Sequence, residues 1–235
     1  MRIAALALIV AVTAFAQQPR DNFSRPIPKV GHDPAMHLAI SNPRVRVFRI
    51  ELAAHGSASI GREVRDYVLL AVSGGRAEIA GPGNSFPIDL QAGEAAIFKG
   101  GWPHRLRSVS DAPSTWMVLE VARALQPERA LCGLSGPSCG NFRFGKSDEG
   151  EYNESILFET PSARLSRAEL APNSLLPTHA DRLDHVVIPI VPINIALAGD
   201  NAAHGAGDAI WVHGAFPDLR NMGSVAAKFV ILELK

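Results

Sequence analysis

The chain has 235 residues, 23 basic and 23 acidic, with no formal net charge, and 47% of it is hydrophobic against 20% charged. That is long and apolar enough for one large or two small packed domains, and it excludes a disordered chain. The neutral balance argues against nucleic acid as a partner, since phosphate neutralisation needs a basic surface, and 20 Gly with 17 Pro favour a β-rich chain full of turns.

Residues 1–16, MRIAALALIVAVTAFA, join a basic Arg2 to an apolar run over 3–13 and an Ala14-Phe15-Ala16 cleavage pattern. This is the pattern of a secretory signal peptide, and the run is too short to span a membrane comfortably. We therefore expect a secreted or periplasmic protein, with no stable membrane insertion after cleavage. Residues 17–41 read as an extended, Pro-containing arm. VRVFRIEL (45–52) alternates apolar and polar as a half-buried strand does, and DYVLLAVS (66–73) and DHVVIPIV (184–191) are β-branched runs. Gly74-Gly75, Pro82-Gly83-Asn84 and Gly100-Gly101 mark turns. ARALQPERALC (122–132) allows one helical turn, within a connector over 123–159 that is rich in Gly, Ser and Asp in its second part. The only two cysteines, Cys132 and Cys139, lie in that connector, where export favours their pairing over free thiols.

The chain repeats itself. Residues 43–74 align without gaps on 161–192, with Arg46 on Arg164, Arg49 on Arg167, Glu51-Leu52-Ala53 on Glu169-Leu170-Ala171 and Asp66 on Asp184. At an offset of 114, Gly93-Glu94-Ala95 meets Gly207-Asp208-Ala209 and Trp102-Pro103 meets Phe216-Pro217. VLEV (118–121) and ILEL (231–234) close the two copies, so the reading is two modules, 42–122 and 160–235. All-β modules of this size close as sandwiches or small barrels.

Two sets of spaced residues, Gly93, Lys99, Gly101, His104 and Ser108 in the first copy and His179, Asp181 and His185 in the second, resemble the motifs of the cupin superfamily in a duplicated, bicupin arrangement. The resemblance implies an all-β fold of two tandem small β-barrels of jelly-roll type, each with four side chains positioned to hold one divalent metal. In the first copy Gly93, Lys99, Gly101, His104 and Ser108 follow the second motif, while Gly61, Glu63 and Tyr67 replace the ligands of the first motif and Gly74 keeps its closing glycine. Too few strong ligands remain there for a tight site. In the second copy the first motif gives His179, Asp181 and His185, and the second gives Gly207, His213, Ala215, Asp218 and Met222. The resemblance thus places His179, Asp181, His185 and Asp218 at the four metal positions, a mixed imidazole–carboxylate set suited to Zn, Fe or Mn.

The spacing has its own logic. His179 and Asp181 are two apart and share a face of a strand, and His185 lies across a bend at Arg182-Leu183-Asp184. A hydrogen-bonded His–Asp pair in a polar barrel mouth fits the same residues, and Asp218 can equally cap its own loop. Glu63, Tyr67, His104, Trp211 and His213 are candidate pocket residues. No nucleophile elbow, P-loop or dinucleotide fingerprint occurs. Three functions stay open: a metal-dependent enzyme acting on a small organic molecule, a metal-free binder of a sugar or organic acid, and a structural module that pairs as a homodimer through sheet edges.

Overall fold

A computed structural model of the protein describes residues 33–61, 65–134, 139, 142–147, 150–176, 182–197 and 199–235. The expected signal peptide, most of the arm, Glu63, His179 and Asp181 lie outside the described residues. The first half contains β1 (Met36–Ser41), β2 (Val45–Leu52), β3 (Ser57–Ile60), β4 (Tyr67–Ala71), β5 (Gly75–Gly81), β6 (Asn84–Leu90), β7 (Ala95–Phe98), β8 (His104–Ser108) and β9 (Ser114–Val121). The second contains β10 (Phe142–Ser147), β11 (Gly150–Glu159), β12 (Ala163–Leu170), β13 (Leu175–Leu176), β14 (Asp184–Pro189), β15 (Ile193–Leu197), β16 (Asp200–His204), β17 (Ile210–Val212), β18 (Leu219–Asn221) and β19 (Ala227–Leu234). A single 3-10 turn at Pro127–Arg129 is the only helical segment among the described residues, and none of their helices is long and apolar enough to cross a membrane.

The duplication read from sequence is a duplication of topology. The large sheet of the first half runs β1-β2-β9-β4-β7, and that of the second runs β11-β12-β19-β14-β17 with β10 added outside β11. The small sheets run β3-β8-β5-β6 and β13-β18-β15-β16. Each half is a pair of facing antiparallel sheets around its own core. Two stretches depart from the sequence reading. The end of the arm is a strand, because β1 pairs with β2 from Met36 opposite Ile50 to Ser41 opposite Arg46. The connector supplies β10 and β11, and β11 lies on β12 from Tyr152 opposite Leu170 to Glu159 opposite Arg164. These three strands lie at or next to an edge of their sheets.

The strands of the large sheets are apolar on both faces, for two different reasons. On β2, Phe48, Ile50 and Leu52 face the barrel interior, while Val45 and Val47 face the other barrel. On β19, Ala227, Phe229 and Ile231 point inward, while Val230, Leu232 and Leu234 point outward. The outward sets meet in a third core that joins Val68, Leu70, Met117 and Leu119 to Leu165, Val186, Ile188 and Leu232. So VRVFRIEL is not half-buried: the side that its alternation leaves for solvent is covered by the partner barrel over Val45 and Val47, and only Glu51 on that strand is exposed.

Two glycines sit where the barrels touch. Gly93 and Gly207 both have positive φ, at 82° and 78°. A Cβ on Gly93 would lie 3.3 Å from Arg167 Cδ of the other barrel, and one on Gly207 would lie 2.7 Å from Arg49 Nη1. The contacts are reciprocal, so the barrels face each other with approximate two-fold symmetry. Leu119 is fully buried in the shared core, and Leu119→Ala is expected to cost about 3 kcal/mol. Urea unfolding followed by fluorescence should show one cooperative transition moved as a whole. Two transitions, with only one displaced, would contradict a shared core.

Candidate functional site

In the first barrel, β4 and β8 deliver Tyr67 and His104 into the interior, where both are buried. His104 Nδ1 lies 3.0 Å from the Trp102 carbonyl oxygen, and its Nε2 lies 2.6 Å from the Tyr67 hydroxyl. The carbonyl can only accept, so Nδ1 carries the proton. Burial pushes the imidazole below its ordinary value, against a smaller opposing effect of the Trp102 carbonyl, and keeps the ring neutral. Burial likewise pushes the Tyr67 phenol upward, so Tyr67 keeps its proton and donates it to Nε2. Trp102 stacks on His104 at 4.1 Å and Phe98 stacks on Tyr67 at 5.3 Å. Gly81 makes room for this stack, since a Cβ there would lie 2.4 Å from the Trp102 ring. The lone pair with which an imidazole would bind a metal is thereby committed to tyrosine.

In the second barrel the same position on β14 carries His185, which is fully buried, with Phe216 edge-on at 5.0 Å. His185 pairs across the sheet with Glu233, as Tyr67 does with Glu120. Each of these buried carboxylates holds a matching arginine: Arg46 to Glu120 at 2.5 Å and Arg164 to Glu233 at 2.5 Å. Barrel 2 adds a second buried carboxylate, Glu154, which accepts the Ser166 hydroxyl at 2.8 Å. Its interior thus carries an imidazole beside an aromatic ring and across the sheet from the Arg164–Glu233 pair, with Glu154 held by Ser166. Sequence reasoning missed Arg164, Glu233, Glu154 and Ser166. A charged residue recurring inside the matched strands VLEV and ILEL was the available signal.

The remaining candidates fall elsewhere. In barrel 1 Ala77 faces Ser108 and Ile79 faces Leu106, and in barrel 2 Ile195 faces Asn221 and Leu197 faces Leu219. The second copy is therefore one residue shorter before β18 than the 114-residue offset implies. Asn221, not Met222, matches Ser108, and Pro217, not Asp218, matches His104. A one-residue slip turns a side chain to the other face, and Asp218 is exposed. Asn221 is buried and its amide donates to the Leu170, Ala171 and Val225 carbonyls, a structural tie. Trp211 lies against the core between the barrels rather than inside barrel 2, because Ile210 and Val212 on either side of it take the inward face. The His213 side chain is 84% exposed and its Nδ1 lies 2.8 Å from Asp184. Asp184 repeats the role of Asp66: each accepts a backbone N–H from the matching glycine, Gly214 or Gly100. Asp184 adds an ion pair with Arg44 of the other barrel at 2.9 Å. Burial would raise the Asp184 carboxyl, but the Gly214 N–H, Arg44 and His213 together hold it below the usual carboxylate range. Cys132 and Cys139 form a disulfide. Among the described residues no three His, Cys, Asp or Glu side chains are grouped to hold a metal.

The tyrosine–histidine bond carries a pH signature. Below the ordinary imidazole value of 6.5 the unfolded chain takes up a proton that the folded His104 resists, so stability falls with falling pH in that window. Urea midpoints measured from roughly pH 8 to 5 should show this loss, and His104→Phe should flatten it. Tyr67→Phe should cost about 1–2 kcal/mol by leaving Nε2 buried without its donor. An unchanged pH slope in His104→Phe would contradict the assignment.

No family profile and no curated protein matches the sequence. Solved structures do match in shape. The AerE protein of Microcystis aeruginosa aligns with a TM-score of 0.59 at 9% identity, over 86% of this chain and 98% of its own. A cupin 2 conserved barrel domain protein from Leptotrichia buccalis gives 0.52 at 11% identity, over 85% and 88%. A mutant of the salicylate 1,2-dioxygenase of Pseudoaminobacter salicylatoxidans, in complex with gentisate, gives 0.60 at 12% identity, over 89% and 76%. With its two facing-sheet halves in matching strand order, the chain has the cupin fold in a duplicated arrangement.

Proposed function

We propose that the protein is an exported bicupin whose second barrel holds a divalent metal ion and acts on a small organic molecule, while the first barrel is structural. The observation that supports this is the contrast at one repeated position: Tyr67 is hydrogen-bonded to His104 in barrel 1, whereas barrel 2 places the imidazole of His185, fully buried, beside Phe216. Imidazole nitrogen with carboxylate oxygen is a donor set for Zn, Fe or Mn. His185 would hold the ion together with His179 and Asp181, with Asp218 as a fourth donor only after a rotation toward the barrel. Such an ion supplies Lewis acidity to a substrate oxygen or to water. Phe216 offers an apolar wall, and the Arg164–Glu233 pair fixes charge beside His185. An organic acid is the substrate class favoured by the gentisate complex of the dioxygenase of similar fold. Export draws on the N-terminal pattern and on the disulfide, which fits an oxidising compartment.

A metal-free binding protein is the second reading, supported by the exposure of Asp218 and its slip out of register with His104. Metal analysis of the untagged mature chain by mass spectrometry separates the two. Near-stoichiometric Zn, Fe or Mn that is lost in His179→Ala/His185→Ala, and kept in His104→Ala, is the expected result. No bound metal after reconstitution would overturn the enzyme reading.

A further inference from the structure

The two-fold relation between the barrels is broken at one arginine. Arg49 and Arg167 occupy matching positions on β2 and β12. Arg49 is satisfied: its guanidinium donates to the Ala206 carbonyl at 2.6 Å and to Glu51 at 3.0 Å. The exposed Arg167 side chain makes no hydrogen bond or ion pair with a described residue; its stem packs over Gly93 and it lines a cleft of about 610 Å³ between the barrels. Val72 and Ala92 of barrel 1 and Ile190 of barrel 2 form the apolar part of this cleft. Asn153 and Ser155, on β11 beside β12, add an amide and a hydroxyl. Lys228 and Glu169 also line it and neutralise each other across 3.3 Å. The cleft therefore has one uncompensated positive charge, neutral donors on one wall and an apolar opposite wall. Its volume lies in the range of small-molecule sites.

We propose that this cleft binds a small organic carboxylate, with Arg167 receiving the carboxylate and the apolar wall covering the rest of the molecule. A guanidinium matches a carboxylate in a two-bond fork, and such charge-assisted bonds are about twice as strong as neutral ones. The site is separate from the interior of barrel 2 and does not depend on metal there.

Calorimetric titration of the intact mature chain with benzoate and with succinate tests it, with benzamide as the uncharged control. At least one of the two carboxylates should bind, benzamide should not, and Arg167→Gln should weaken binding at least about tenfold. Arg49→Gln, at the matching position, should bind as the parent does. Failure of both carboxylates to bind the parent, or equal binding in Arg167→Gln, would overturn the proposal. Binding lost in His185→Ala but kept in Arg167→Gln would put the ligand inside barrel 2, overturning the cleft site while supporting the function proposed above.

Discussion

The core between the two large sheets is the constraint on which the other features rest. Val45, Val47, Val68, Leu70 and Leu119 of one barrel press against Leu165, Val186, Ile188, Val230 and Leu232 of the other. Burying a Val or Leu side chain is worth roughly 1.5–3 kcal/mol each, so this seam is a large share of what holds a chain of this size together. It leaves the central large-sheet strands apolar on both faces and fixes which of their residues point inward. Tyr67 and His185 are inward because Val68 and Val186 are committed to the seam. The positive-φ glycines Gly93 and Gly207 follow from the same contact, since the opposing arginines Arg167 and Arg49 lie where their side chains would be.

Duplication on a shared seam lets the copies diverge inside while remaining alike outside. The ion pairs of the buried Glu120 and Glu233 with Arg46 and Arg164, the Asp66 and Asp184 caps and the sheet orders are kept in both. Removing one partner of such a buried pair leaves an uncompensated charge, which explains why pairs persist even where they add little net stability. What differs is chemistry at the centre. In barrel 1 the tyrosine proton occupies the imidazole lone pair and aromatic rings stack over both groups. In barrel 2 the position passes to a histidine beside Phe216, and Glu154 adds a buried carboxylate bound to Ser166.

Much of the fold was legible because duplication and strand periodicity are local signals. The strand runs, the turns at Gly74 and Gly83 and the pairing of Cys132 with Cys139 all follow from residues close in sequence. What was not legible depends on packing between distant segments. Arg46 and Arg164 aligned, and so did VLEV and ILEL, yet only the cross-strand register turns those matches into buried ion pairs. Trp211 reads as a pocket residue until its neighbours Ile210 and Val212 claim the inward face. Asp218 reads as a ligand until the β15–β18 register removes one residue before it. In both cases a single step of strand alternation decides whether the side chain enters the barrel or takes the opposite face, and gapless alignment of short motifs cannot supply that step.

On the function proposed above the two barrels have diverged, and only the interior of the second would take a metal. Anomalous diffraction from crystals of the mature chain grown with Mn, collected above and below the metal edge, tests it most directly. The account predicts one strong anomalous peak inside barrel 2 against the His185 ring and none beside Tyr67 and His104. A peak at His104, or peaks in both barrels alike, would contradict it.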